Sequence, residues 1–131
     1  MSFASERQAI ESRFSTQWGT TTPIKYDNIK YVPTAGTSFV ALEIHNGASI
    51  QASLGTSPLF RGIGIISVNI YTPTGSGTNT GRAYADTAAG IFRNVVFSGI
   101  VCKSASVTRL GEQEGWFIYN VSIPFYHDET Y

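Results

Sequence analysis

Charge is what this sequence has least of. Charged side chains make up 14% of its 131 residues, where about 25% is usual. Between Tyr31 and Gly81 only Glu43 and Arg61 carry a full charge. The nine basic and nine acidic residues cancel, so no net field draws the chain onto nucleic acid or an anionic membrane. Cysteine is nearly absent as well. Cys102 stands alone, which excludes an internal disulfide and a cysteine-based zinc cluster and fits synthesis in a reducing cytoplasm. No apolar run approaches the ~18 residues of a spanning helix, and the N-terminus shows no apolar segment behind a basic start. The expectation is a chain neither exported by a signal peptide nor embedded in a membrane.

Chemistry-bearing motifs are missing too. The Gly-rich run 70–82 passes from a strand into a helix, the layout of a phosphate cradle. A Walker loop, however, needs Lys followed by Ser or Thr, and here Gly81 is followed by Arg82 and Ala83. Gly75, Gly77 and Gly81 are spaced G-x-G-x-x-x-G, one residue too long for a dinucleotide fingerprint. The two histidines, His45 and His127, have no neighbour at metal-ligand spacing, and no G-x-S-x-G elbow offers a nucleophile. The run His127-Asp128-Glu129 reads as a solvated tail. Glu112 and Glu114 alternate in a loop outside any cleft pattern, and Cys102 reads as packing. No enzyme activity and no cofactor are expected.

What the sequence does have is periodicity. Ser5 and Gln8 form a capping-box pattern with Phe3 before it, and Ile10, Phe14 and Trp18 line one side of a first helix. Glu6, Arg7, Glu11 and Arg13 fall on its expected solvated side. Gly19 through Pro23 ends it. Residues 24–37 read as an extended connection holding at most a short strand. Residues 39–44 then form a strand, joined through His45-Asn46-Gly47 to 48–54 by a type I′ hairpin turn. After a turn at Ser57-Pro58, residues 59–71 give a long strand in which Gly62 and Gly64 mark a bulge or a close backbone approach.

The second helix carries Gly81, Tyr84, Ala85, Ala88, Ile91, Phe92 and Val95 at helical spacing over four turns, a mostly small-residue stripe suited to lying close on a sheet. Arg82, Asp86 and Arg93 face outward. Residues 95–110 and 116–126 supply the last two strands, joined by 111–115, and Pro124 implies an edge strand or a stop in pairing. The order is α-β-β-β-α-β-β. It predicts one α+β domain over 1–131, an antiparallel or mixed β-sheet with two α-helices packed on one face.

The charge-poor strands lack the lysines with which monomers usually protect sheet edges. Partner subunits covering those surfaces are the favoured reading, against an ordinary Ser/Thr-rich surface. Arg61, isolated in this region, is a candidate subunit anchor because a guanidinium can hold a carboxylate bidentately. The uncharged loop is a candidate mobile docking arm through Thr74, Gly75, Ser76, Gly77, Thr78 and Asn79, with Arg82 at the helix start. Glu112 and Glu114 complete the contact candidates.

Several blocks resemble the tail-terminator-like proteins of long-tailed bacteriophages. They are the helix with Glu6-Arg-Gln-Ala-Ile-Glu-Ser-Arg-Phe14, Trp18, Thr22-Pro-Ile-Lys-Tyr-Asp-Asn28, Gln51-Ala-Ser-Leu-Gly55, Arg61-Gly-Ile-Gly-Ile-Ile66 and Gly115-Trp-Phe-Ile-Tyr-Asn-Val-Ser-Ile-Pro-Phe-Tyr126. The Gly-rich stretch is similar to a mobile loop of that family. The resemblance implies a homo-oligomeric ring, a hexamer, that caps the tail tube protein, stops polymerisation and docks the head–tail connector protein. It implies a place in the virion at the tail–head junction, after synthesis in the host bacterial cytoplasm. Genomic DNA would pass through the lumen without specific binding. The alternatives are a head–tail connector or neck protein and, more distantly, a monomeric binding module using the 73–81 loop.

Overall fold

Alternation in the two longest strands decides the architecture of this computed structural model, which describes residues 3–51, 59–75 and 77–130. Along the chain run α1 (Phe3–Trp18), β1 (Ile24–Tyr26), β2 (Phe39–Asn46), β3 (Ile50–Gln51), β4 (Leu59–Pro73), α2 (Asn79–Phe92), β5 (Val96–Phe97), β6 (Ile100–Cys102), β7 (Ser106–Gln113) and β8 (Trp116–Thr130). β4 and β8 pair antiparallel over their whole length, with Ile66 opposite Ile123, Val68 opposite Val121 and Ile70 opposite Tyr119. All six are buried. β2 adds Val40 and Leu42 to the same surface, and β1 pairs with β2 in parallel, which makes the sheet mixed.

Both helices cover that apolar face. Ile10, Phe14 and Trp18 of α1 and Ala85, Ala88, Ile91 and Phe92 of α2 join the strand residues in one core. Phe14 stacks on Phe92 with centroids 6.0 Å apart, and Trp18 lies 5.8 Å from Tyr84. Gly81 shows why the α2 stripe is small: a Cβ there would stand 2.6 Å from the Tyr119 ring. Arg13 bridges the helices, its Nε donating to the Ile91 carbonyl at 2.9 Å. A cation at the C-terminal turn of α2 also suits the helix dipole. Arg13 is thus half-buried rather than on a solvated face; Arg7 and Glu11 do form an outer pair at 2.7 Å.

The α+β fold with two helices on one face is as the sequence predicts. Several local expectations are not. Asn46-Gly47 makes no hairpin turn: β2 runs through Asn46 along β4, and Gly47 N–H donates to the Ile63 carbonyl at 2.8 Å. β3 pairs with the same edge of β4, so β2 and β3 are one interrupted strand. Local turn preference yields here to a long ladder. The expected second hairpin strand at 48–54 is described only as far as Gln51, and Ser57-Pro58 lies outside the described residues.

Residues 95–110 likewise form no single strand. β5 and β6 make a hairpin through Ser98 and Gly99, both at positive φ, and β6 and β7 lie one after the other on β8. β8 is therefore central. Pro124 is tolerated because its carbonyl, which accepts from Lys103 N–H at 2.8 Å, faces the gap between β6 and β7, and its nitrogen faces the same way. The last connection is a two-residue turn at Glu114 and Gly115, both at positive φ, rather than a 111–115 loop, with a bulge between Arg109 and Gly111. α1 begins at Phe3, which was expected before its cap, and Phe3 lies edge-on to the His127 ring at 6.1 Å.

Candidate assembly surfaces

The face of the sheet away from both helices carries the opposite phase of every strand. Its middle is polar. Asn120 Nδ2 donates to Ser67 Oγ at 2.8 Å and to Asn69 Oδ1 at 2.7 Å, Ser122 Oγ donates to Asn120 Oδ1, and Asn69 Nδ2 donates to Glu43 Oε1 at 3.1 Å. These side chains satisfy one another across three strands, so the row is flat and self-contained. At one end Phe39 stacks parallel on Tyr71 at 4.5 Å, and Trp116 meets both rings edge-on. Burial pushes the Tyr71 hydroxyl pKa up, with Glu43 adding to it.

The other end is a shallow groove of about 460 Å³ lined by Ile63, Ile65, Pro124 and Tyr126 among others. Ile63 is 40% and Ile65 43% exposed. Arg61 stands at its rim. Its Nε and a terminal nitrogen donate to the two Asp128 oxygens at 2.8 and 3.2 Å, and the guanidinium lies 4.1 Å above the Tyr126 ring. The hydrogen bond holds the Asp128 carboxyl below its usual range and raises Arg61. The bidentate carboxylate predicted for Arg61 exists, and it belongs to the same chain.

The remaining candidates gather at the far end. β4 reaches Pro73 and α2 starts at Asn79, so the connector is 74–78, shorter than the 73–81 loop read from sequence. Thr74 N–H donates to the Gly115 carbonyl at 3.1 Å, which fixes this connector beside the β7–β8 turn. Gly75 and Gly77 have positive φ with open space around them, and Ser76 lies outside the described residues. Thr78 occupies the N-cap position without a side-chain cap bond, and Asn79 opens the helix. Arg82 is exposed, 5.6 Å from the Tyr119 ring centroid, and Glu112 and Glu114 are exposed. Arg61 is not among this group: it is twelve strand positions from Pro73, about 40 Å at ~3.4 Å per residue.

Sequence reasoning missed one polar cluster. Glu6 and His127 are each 2% exposed and meet at 2.5 Å through Oε2 and Nδ1, and Asn46 Nδ2 donates to Glu6 Oε1 at 2.8 Å. Gly62 leaves room for the imidazole, since a Cβ there would lie 3.0 Å from His127 Cε1. Glu6 is therefore not solvated and His127 is not in a tail, because β8 continues to Thr130. The signal was present: positions 6, 10, 14 and 18 form one i, i+4 row, and all four are buried. Among the described residues no three metal-ligating side chains converge. Cys102 is buried, and its thiol is pushed up to about 11 by that burial. No described helix is long and apolar enough to cross a membrane.

A family model described as phage tail terminator protein matches residues 7–125. No curated protein matches. A solved structure with 22% sequence identity aligns with TM-score 0.72, covering 100% of this chain and 98% of that chain, a likeness in fold.

Proposed function

The chain belongs to the phage tail terminator protein family, whose role is structural and in the phage tail, and we propose that copies of it form a ring that caps the tail tube. In this reading the ring, a hexamer, ends polymerisation of the tail tube protein and presents a docking face to the head–tail connector protein, at the tail–head junction of the virion. The observation that carries it is the helix-free sheet face, whose exposed Ile63 and Ile65 and self-satisfied polar middle give a neighbouring protein a flat surface to cover. The end built from Thr74, Gly75, Ser76, Gly77, Thr78, Asn79 and Arg82 meets the tube or the connector. Arg61, Glu112 and Glu114 serve contacts between copies. Zero net charge suits a lumen through which DNA slides without being held.

The test is genetic and visual. Removing this gene from its phage should give tails of irregular, excessive length without heads in electron micrographs, and the gene supplied in trans should restore them. Tails of normal length already joined to heads would overturn the reading. Shortening the 74–78 connector by three residues should leave a folded protein that no longer completes tails.

A further inference from the structure

We propose that the β7–β8 hairpin of one copy seats in the groove of the next, Leu110 against Ile63 and Ile65 with Glu114 facing Lys103. The inference rests on the reading that copies assemble, and names the surfaces that meet. The groove lining carries two cations, Arg61 and Lys103, and no carboxylate. Arg61 is offset by its bidentate pairing with Asp128, and Lys103 Nζ lies 5.7 Å from the Tyr126 ring centroid. The hairpin has the complementary character: Leu110 is 57% exposed and sits at the bulge, and Glu114 is exposed in the turn. Arg109, the hairpin's own cation, is laid 5.1 Å over the Phe117 ring, on the helix-covered side that Glu112 shares by its pairing with Phe117. An exposed apolar side chain near an acidic turn thus matches an apolar groove bordered by Lys103.

Position excludes contact within one chain. Leu110 lies at the bulge opposite Ile118 and Tyr119, and the groove lies at Pro124 to Tyr126 of the same strand, roughly 20 Å apart at ~3.4 Å per residue. Contact between them joins unlike surfaces of two copies. Such a heterologous contact repeats from copy to copy and closes into a ring when its rotation divides the circle. An isologous groove-to-groove contact would bring Arg61 and Lys103 against their own counterparts and would stop at a dimer.

Cysteine cross-linking decides between these. Ile65 and Leu110 are exposed, so Ile65→Cys and Leu110→Cys leave the fold intact by circular dichroism, and native Cys102 is buried and silent. Under mild oxidation at high protein concentration, an equimolar mixture of the two variants should form dimers about tenfold faster than Ile65→Cys mixed with Ser12→Cys. Each variant alone should stay monomeric, and the doubly substituted chain should give a ladder. Lys103→Glu should abolish the excess, and Glu114→Lys on the other partner should restore it. Self-linking of Ile65→Cys as fast as the mixture, or a mixture no faster than the control, would overturn the inference. Tails capped normally by a chain showing no such cross-link would remove this contact and leave the capping role standing. Uncontrolled cross-link ladders with no effect of gene loss on tails would do the reverse.

Discussion

The two faces of the sheet are built from the same strands and obey different rules. On the covered face Val40, Val68, Ile70, Val121 and Ile123 are sealed beneath two helices, and an ionisable pair, Glu6 with His127, is closed in with them. On the free face the polar groups hold one another in a row and the apolar groups are pushed to the ends, where Ile63 and Ile65 stay open. The contrast teaches which residues serve folding and which are left over for a neighbour. Substitutions on the covered face should therefore lower stability, and those on the free face should lower assembly.

The deepest break should come from Glu6→Ala. It leaves His127 buried beside an empty site and Asn46 without its acceptor, a loss on the order of 3–5 kcal/mol in urea unfolding. A loss below about 1 kcal/mol would mean that water enters and solvates the imidazole. Next is Gly64→Ala, where a Cβ would lie 2.7 Å from Phe125 Cζ and 2.8 Å from the His45 carbonyl oxygen. The backbone neighbour cannot swing away, so roughly 1–3 kcal/mol should be lost. Crossing to the free face, Asn120→Ala removes the centre of the polar row, and because water can reach its partners the cost should fall to about 1 kcal/mol.

Long-range pairing separates what the sequence disclosed from what it concealed. The alternation of Ile66, Val68 and Ile70 and of Tyr119, Val121 and Ile123 is visible in the chain, because period 2 is a local property. So is the small stripe of α2. Asn46-Gly47 is a strong local turn signal, yet β2 gains more by continuing along β4 than by reversing. Pro124 looks like an edge residue because nothing local reveals that the facing strand is interrupted beside it. Gly62 and Gly64 announced a close approach, and only the fold identifies His127 and Phe125 as what approaches. The contact candidates were found by their isolation in charge-poor sequence. Their division between two ends of one sheet depends on the β4–β8 register, which no local pattern contains.

The smallest effect on stability, and the sharpest on the comparison, belongs to Arg61 and Asp128. Hydrogen bonding from Arg61 lowers the folded carboxyl pKa. A depressed carboxylate contributes stability above its unfolded value of about 3.9, and that contribution is lost as pH falls through the lower folded value. The melting temperature should accordingly dip on the acid side, and Asp128→Asn should flatten that limb. The two side chains are 37% and 31% exposed, so the dip should be slight and should shrink further in high salt. Arg61→Ala should then leave melting of the isolated chain nearly unchanged while slowing the Ile65-to-Leu110 cross-link between copies. If melting falls as far as it does for Gly64→Ala, the guanidinium is serving the subunit's own fold, and the boundary between folding residues and assembly residues runs inside the groove instead of around it.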